Sequence, residues 1–258
     1  MTGSDVPPSF RLAYVPGVTP TKWVRIWNER LPEVPLTLIA VSAAEACDVL
    51  RGGGADAGFV RLPSDRTDLN AIPLYTETTV VVVPKDHVVA AVDEVSAEEL
   101  ADDVVLHPLD DILDWERRPG RPANERPATT ADAVELVAAG AGVLVVPQSL
   151  ARLHHRKDLT YRPVSDAPES RVALSWPQGE TTELVEEFIG IVRGRTVNSS
   201  RGRSPAPAQP KRKRPDTGGA RRKPAAGTST GKSSRSGSGS PKGGSPKGGK
   251  RGKPRRRS

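Results

Sequence analysis

The stretch AVELVAAGAGVLVVP, Ala133 to Pro147, holds a helix, its stop and a strand within fifteen residues. Thr129 or Thr130 is placed to cap a helix over Ala131–Ala139, and Gly140 is placed to end it. Val143 to Val146 then reads as a short buried strand, and Pro147 is suited to open another helix running to Leu153.

The same alternation continues outward in both directions. Upstream, Val104 to His107 reads as a strand after a short helix capped by Ser96, with Glu98 and Glu99 in its first turn. Pro108 to Pro127 is irregular. Thr78 to Val83 is a continuous apolar run, as expected of a central strand covered on both faces. Phe10 to Val15 reads as a strand, Pro16 to Thr19 as a turn, and Pro20 to Arg30 as a helix with Trp23, Ile26, Trp27 and Arg30 on neighbouring turns. Leu36 to Val41 is a second strand. Ser42, with Glu45 three residues on, is placed to cap a helix over Ala43–Leu50 that stops at Gly52, Gly53 and Gly54. Ala57 to Arg61 is a third strand. Downstream, Arg171 to Trp176 is a late strand and Glu180 to Val192 a final amphipathic helix. Such alternation implies parallel strands joined by right-handed crossovers and covered on both faces.

Composition divides the chain of 258 residues into two unlike parts. Of 38 basic and 31 acidic residues, 20 and 1 fall within 195–258, a balance of +19, which leaves 18 and 30, or −12, for residues 1–194. The segment 195–258 is Arg, Lys, Gly, Ser and Pro, with no aromatic residue and Val197 as its one branched aliphatic side chain. It has nothing to bury against the entropy of ordering and is expected to be disordered. Residues 6–194 carry enough apolar side chains to fold alone. No signal-peptide pattern or membrane-length apolar run is present, which favours the cytoplasm and gives no reason to expect a membrane partner. The single cysteine, Cys47, excludes an internal disulfide and a thiolate-rich metal site, and is most simply a buried helix residue.

The order of segments resembles the effector-binding (substrate-binding) domain of LysR-type transcriptional regulators. The resemblance covers about Phe10 to Arg193. It is carried by Phe10 to Thr19, Leu31-Pro-Glu-Val-Pro-Leu36, Val49 to Arg61, Pro73-Leu74, Val80 to Pro84 with His87, and above all the stretch from Ala133 to Pro147. It implies a two-lobed α/β fold of the type II periplasmic-binding-protein kind, with lobe I at about 10–80 and 170–194 and lobe II at about 81–169. It also implies a small, often anionic effector held between the lobes, and a dimer or higher homo-oligomer. The family's winged helix-turn-helix is not found ahead of residue 10, so the resemblance extends to ligand sensing and not to operator reading.

Open α/β sheets bind ligands beyond the carboxyl ends of their strands, where helix N-termini offer free N–H groups. Three such ends are visible, at Pro16, Gly17, Val18 and Thr19, at Ser42, and at Thr129 and Thr130; Pro147 with Gln148 and Ser149 is a candidate fourth. By the resemblance, these loops face the cleft, and the effector contacts are Pro16, Gly17, Val18, Thr19, Ser42, Thr129, Thr130 and Pro147. Each Ser or Thr also has a plainer role as a helix cap. Arg61, just past a strand end, is a candidate partner for a ligand carboxylate, against the plainer reading of a solvated arginine.

No catalytic constellation is present. His87, His107, His154 and His155 stand at no metal-ligand or nucleophile-base spacing and read as surface or capping residues. Asp102, Asp103, Asp110, Asp111 and Asp114 read as a solvated acidic face rather than a cation loop. No cofactor or metal is expected.

In the C-terminal segment, Lys211-Arg212-Lys213-Arg214, Arg221-Arg222-Lys223, Lys250-Arg251 and Arg255-Arg256-Arg257 are separated by Gly, Ser and Pro, and Ser-Pro-Lys-Gly-Gly occurs twice in succession from Ser240. Such a polyelectrolyte is expected to bind nucleic-acid phosphates without reading bases. Two readings follow: a LysR-like regulator whose cleft closes on an effector, or a nucleoid-associated, DNA-compacting protein whose folded part only oligomerises.

Overall fold

The computed structural model describes residues 8–179 and 181–195. Within them lie two five-stranded sheets, one per lobe. The first contains β1 (Phe10–Tyr14), β2 (Leu36–Ala40), β3 (Ala57–Leu62), β4 (Leu69–Glu77) and β10 (Ser170–Pro177), in the order β2-β1-β3-β10-β4. The second contains β5 (Thr79–Pro84), β6 (Val104–Leu106), β7 (Arg121–Pro122), β8 (Val143–Pro147) and β9 (Leu159–Pro163), in the order β7-β6-β8-β5-β9. The chain crosses between the sheets at Thr78 and returns through 164–169.

The expectation of wholly parallel sheets is corrected. β1 pairs parallel with β2 and β3, but β10 runs antiparallel to both β3 and β4. In the second sheet β6 is parallel to β7 and β8, while β5 is antiparallel to β8 and β9. The physical reason lies in the two crossings, because a strand that enters a sheet from the neighbouring lobe is not bound by the direction of a local β-α-β crossover.

The first core is aromatic. α1 (Thr21–Arg30) and α5 (Glu183–Val192) lay Trp27 and Phe188 onto Phe10, with Phe10 and Trp27 stacked at 4.6 Å, and Trp23 stacks on Phe59 at 4.7 Å. Trp27 buries its ring fully and donates Nε1–H to the Val34 carbonyl at 2.9 Å, so no polar atom is stranded. Cys47 is buried on α2 (Ala46–Arg51), as expected.

The run Val80–Val83 explains itself in the second sheet. Val80 and Val82 face one apolar cluster with α3 (Thr130–Ala138) and α4 (Gln148–Leu153), while Val81 and Val83 face a second cluster with Val89, Leu100 and Val105. A strand buried on both faces needs no polar alternation.

Several boundaries differ from the sequence reading. The helix expected over Ala43–Leu50 begins at Ala46, because Ser42 and Glu45 close a turn first, Ser42 Oγ accepting from Glu45 N at 3.2 Å and donating to its carboxylate at 2.7 Å. The final helix begins at Glu183 rather than Glu180, capped by Thr182, whose oxygen accepts from Val185 N. Pro147 ends β8 instead of starting α4. Thr129 caps α3 in a reciprocal box with Asp132. Ser96 and Glu99 bond reciprocally ahead of a single 3-10 turn at Glu98–Leu100. β4, β9 and the two-residue β7, which lies within the stretch expected to be irregular, are strands that the sequence reading does not contain. β4 carries Pro73 and a bulge opposite Val172/Ala173, which an edge strand tolerates and which hides the strand pattern.

Among the described residues no helix is long and apolar enough to cross a membrane. Among the same residues no group of three or more His, Cys, Asp or Glu is placed to hold a metal ion. The clusters Lys211, Arg212, Lys213 and Arg214, Arg221, Arg222 and Lys223, Lys250 and Arg251, and Arg255, Arg256 and Arg257 lie outside the described residues.

Candidate functional site

Three strand ends and one helix converge on a cavity of about 940 Å³. Tyr14 through Thr19 leave the end of β1, Ala40 to Ser42 leave β2, and Thr76 to Thr78 form the crossing between sheets. Gln148, Ser149, Arg152 and Leu153 of α4 complete the wall from the other lobe. The cavity therefore sits where an open α/β sheet binds ligands, beyond the carboxyl ends of parallel strands.

Gly17 lets the lobes approach. It sits at φ +85°, and a Cβ there would meet Ser149 Oγ at 2.5 Å and Arg61 Nη2 at 2.9 Å. A larger residue would be strained in its backbone and would also push the β1 turn off α4.

Beneath the cavity lies a buried ion pair that corrects the reading of Arg61. Arg61 is 6% exposed and Glu77 9%. Arg61 Nη1 bonds the Glu77 carboxylate and also donates to Ser170 Oγ at 2.8 Å, while Nη2 donates to Pro16 O at 2.9 Å and Ser149 Oγ at 3.1 Å. One guanidinium thus binds β4, β10, the β1 turn and α4 of the opposite lobe. Its fork geometry suits this many-sided role, which a lysine could not fill. Arg61 is not solvated: it is 6% exposed, and both of its terminal nitrogens are bonded inside the protein.

With Glu77 neutralised by Arg61, the charge open to the cavity is that of Arg152. Its Nε reaches Tyr161 Oη at 3.3 Å, and it has no carboxylate partner within 4 Å among the described residues. The lining also includes the hydroxyl-bearing Thr19, Ser42, Thr76 and Thr78 and the apolar Val18, Val41 and Leu153. α1 starts two residues after Thr19, with no side-chain cap and no acid in its first turn, so its positive end is uncompensated.

The structure gathers Pro16, Gly17, Val18, Thr19 and Ser42 at this cavity. Thr129 and Thr130 do not line it. Thr129 is spent on its capping box, and the buried Thr130 donates to Asp110 Oδ1 at 2.9 Å. Pro147 precedes the lining residues and is itself buried in β8. Tyr14, Thr76, Thr78, Arg152 and Leu153 were not singled out from the sequence. For Arg152 the available signal was a cation one helical turn after the start of α4.

The histidines divide. His87 is a cap, its Nδ1 accepting from Val89 N at 3.3 Å and its Nε2 standing 3.2 Å from Asp103. His107 is buried at 7% exposure, which corrects its reading as a surface or capping residue. The acidic run is likewise only partly solvated, since Asp103, Asp110 and Asp111 each bond within the lobe.

The LysR substrate binding domain matches residues 7–196, which takes in the whole of the described fold. The chain belongs to this family. LysR-family relatives include a "Probable hydrogen peroxide-inducible genes activator" of Mycobacterium avium, 37% identical over 52% of this chain and 46% of the relative. The Hca operon transcriptional activator HcaR of Escherichia coli (strain K12) is 26% identical over 74% of this chain and 66% of the relative. The chain thus spans from about half to two thirds of the length of these curated relatives, which are named as transcriptional activators and not as enzymes. Among solved structures, the BenM effector binding domain with its effector benzoate superposes with a TM-score of 0.61 at 20% identity, covering 78% of this chain and 97% of that one. That likeness carries the two-lobed LysR fold.

Proposed function

We propose that this chain is the effector-sensing part of a LysR-type transcriptional regulator. Its interlobe cleft takes a small ligand with one anionic group and an apolar body. The observation that carries the reading is the pairing of charges around the cleft: Glu77 is spent on Arg61, whereas Arg152 faces the cavity without a carboxylate partner among the described residues. An anion meets a net attraction there, and Val18, Val41 and Leu153 favour an apolar remainder. Thr19 and Ser42 are proposed contacts. Closure of the lobes on the ligand is the transition that would be passed to DNA, through a partner chain, a further DNA-binding element or the basic segment.

That segment, 195–258, supplies nucleic-acid attraction of a sequence-blind kind, by release of counterions from phosphates. The protein acts in the cytoplasm as a symmetric homo-oligomer. Thermal-shift titration of the full chain with small carboxylates tests the cleft. A ligand at about 100 times its Kd stabilises the native state by about 2.7 kcal/mol. The shift is expected with aromatic or aliphatic monocarboxylates, not with the matching amides, and is expected to fall in Arg152→Ser. No shift with any carboxylate, combined with DNA compaction by the full chain, would favour a nucleoid-associated protein whose folded part only oligomerises. For the segment, duplex binding by the full chain is expected to fall with log salt at about 0.9 per phosphate neutralised and to be equal for two unrelated sequences.

A further inference from the structure

A second cavity, of about 220 Å³, opens in the lobe of β5–β9 and shares no lining residue with the cleft. His107, Arg118, Gly120, Glu125 and Arg126 are among the residues that line it. His107 follows β6 and is 7% exposed, yet neither ring nitrogen makes a hydrogen bond among the described residues. The nearest carboxylate oxygen, Asp111 Oδ2, is 3.7 Å from Nδ1, beyond hydrogen-bond length, and the other oxygen of Asp111 accepts from Leu113 N at 3.0 Å. The ring nitrogens are not among the enclosed atoms left without a partner, so they stay within reach of the cavity that His107 lines, and a ligand there can bond them.

The wall around it is rigid and cationic. Arg126 donates Nε–H to His107 O at 2.8 Å and Nη2–H to Pro108 O at 2.7 Å, which fixes its guanidinium and leaves Nη1 over. Arg118 is exposed and has no carboxylate within 4 Å among the described residues. Gly120, at φ +67°, packs so closely that a Cβ would meet Val105 Cγ2 at 2.3 Å and Asp103 O at 2.8 Å. Arg121 N bonds Asp103 O at 2.8 Å and β7 pairs with β6, so the backbone of this wall cannot swing away. Glu125 is the one acid of the lining.

We propose that this pocket is a second ligand site, for a phosphate group. The charge of the oxyanion meets Arg118, Nη1 of Arg126 and the His107 ring, and the hydroxyl that hydrogen phosphate keeps at neutral pH donates to Glu125. Sulfate has the same shape but no such proton, so it would set acceptor against acceptor at Glu125. The size fits: at about 30 Å³ per water, the pocket holds a tetrahedral anion with room for a short ester substituent. Donors fixed by backbone contacts lose little freedom on binding, which favours a small ligand. A free phosphate and the end of a phosphomonoester present the same chemistry to this wall.

Isothermal titration of the full chain at about 0.15 M ionic strength, where charges beyond about 8 Å are largely screened, provides the test. The probes are inorganic phosphate, glycerol 3-phosphate and sulfate. Saturable binding of one equivalent of phosphate or of glycerol phosphate is expected, the tighter of the two identifying the source. Sulfate is expected to bind about tenfold more weakly, a gap that closes in Glu125→Gln, and Arg118→Ser is expected to weaken phosphate about fivefold or more, as loss of a charge-assisted contact does. Arg152→Ser, in the cleft, is expected to change nothing. His107→Asn is expected to weaken binding as well; should it fail to fold, the exposed positions Arg118 and Glu125 decide the matter. The proposal is overturned by absence of saturation, by several ions bound per chain with no effect of Arg118→Ser, or by loss of binding in Arg152→Ser alone.

Discussion

Replacing Arg61 by Met removes a guanidinium that four separate segments share. Glu77, only 9% exposed, would remain as a buried charge without its partner. Breaking a buried pair from one side costs about 3–5 kcal/mol, because the surviving charge keeps its desolvation penalty and loses its compensation. That is a large part of the stability of a domain, which totals about 5–15 kcal/mol. For a fold of this size each kcal/mol lowers the melting temperature by about 2–4 °C, so the expected fall is about 6–20 °C. Equilibrium denaturation in urea measures it directly, and the slope should be unchanged if the native state keeps its compactness. The double variant Arg61→Met with Glu77→Gln removes both charges and should recover at least half of the loss. A single-variant cost below about 1 kcal/mol, the range of exposed pairs, would refute the picture of a desolvated strut. So would strictly additive losses in the double variant, since residues in direct contact must couple.

Three further outcomes follow from other contacts. Gly17→Ala should destabilise the chain by about 2 kcal/mol, through its positive φ and the overlap with Ser149, and should weaken ligand binding in the cleft; an unchanged melting temperature would contradict the close approach of the lobes. Thr129→Ala should cost about 1 kcal/mol by loss of the α3 cap while leaving effector binding intact, so a selective loss of ligand affinity would return Thr129 to the site. Burial first, and the charge of Glu77 second, hold the Tyr75 phenol above its ordinary value of 10.0. Its folded value is raised, so the linked stability is complete below the unfolded value and is lost as pH rises through the folded one; absorbance titration should show a late tyrosine ionisation that Tyr75→Phe abolishes, and an unaltered curve in that variant would contradict it.

The alternation of helix and strand was legible because each element carries its own punctuation. Gly140 stands where a helix stops, Thr129 stands one residue before a helix that it caps, and Val80 to Val83 form an apolar run of strand length. The family likewise follows from segments in order, read without any contact between them. The β1 turn and Ser42 were found as cleft residues for the same local reason, since a strand end followed by a helix start is visible in one short window. β4 and β9 were not, because Pro73 and a bulge break the period of β4 and both strands lie at a sheet edge.

What the sequence determined by itself is therefore what rests on near neighbours: the helices, most strands, the division of charge at about residue 195, and the exclusion of thiol pairs by a lone Cys47. The tertiary structure decided what rests on distant ones. Strand direction in both sheets depends on where the chain crosses between lobes. Whether an arginine is solvated depends on what is brought over it, and Arg61 is enclosed by residues 16, 77, 149 and 170. Arg152 becomes the cation of the cleft, and His107 a buried ring beside a cavity, for the same reason: packing sets the solvation of a charged or polar group, and packing joins residues that local sequence keeps apart.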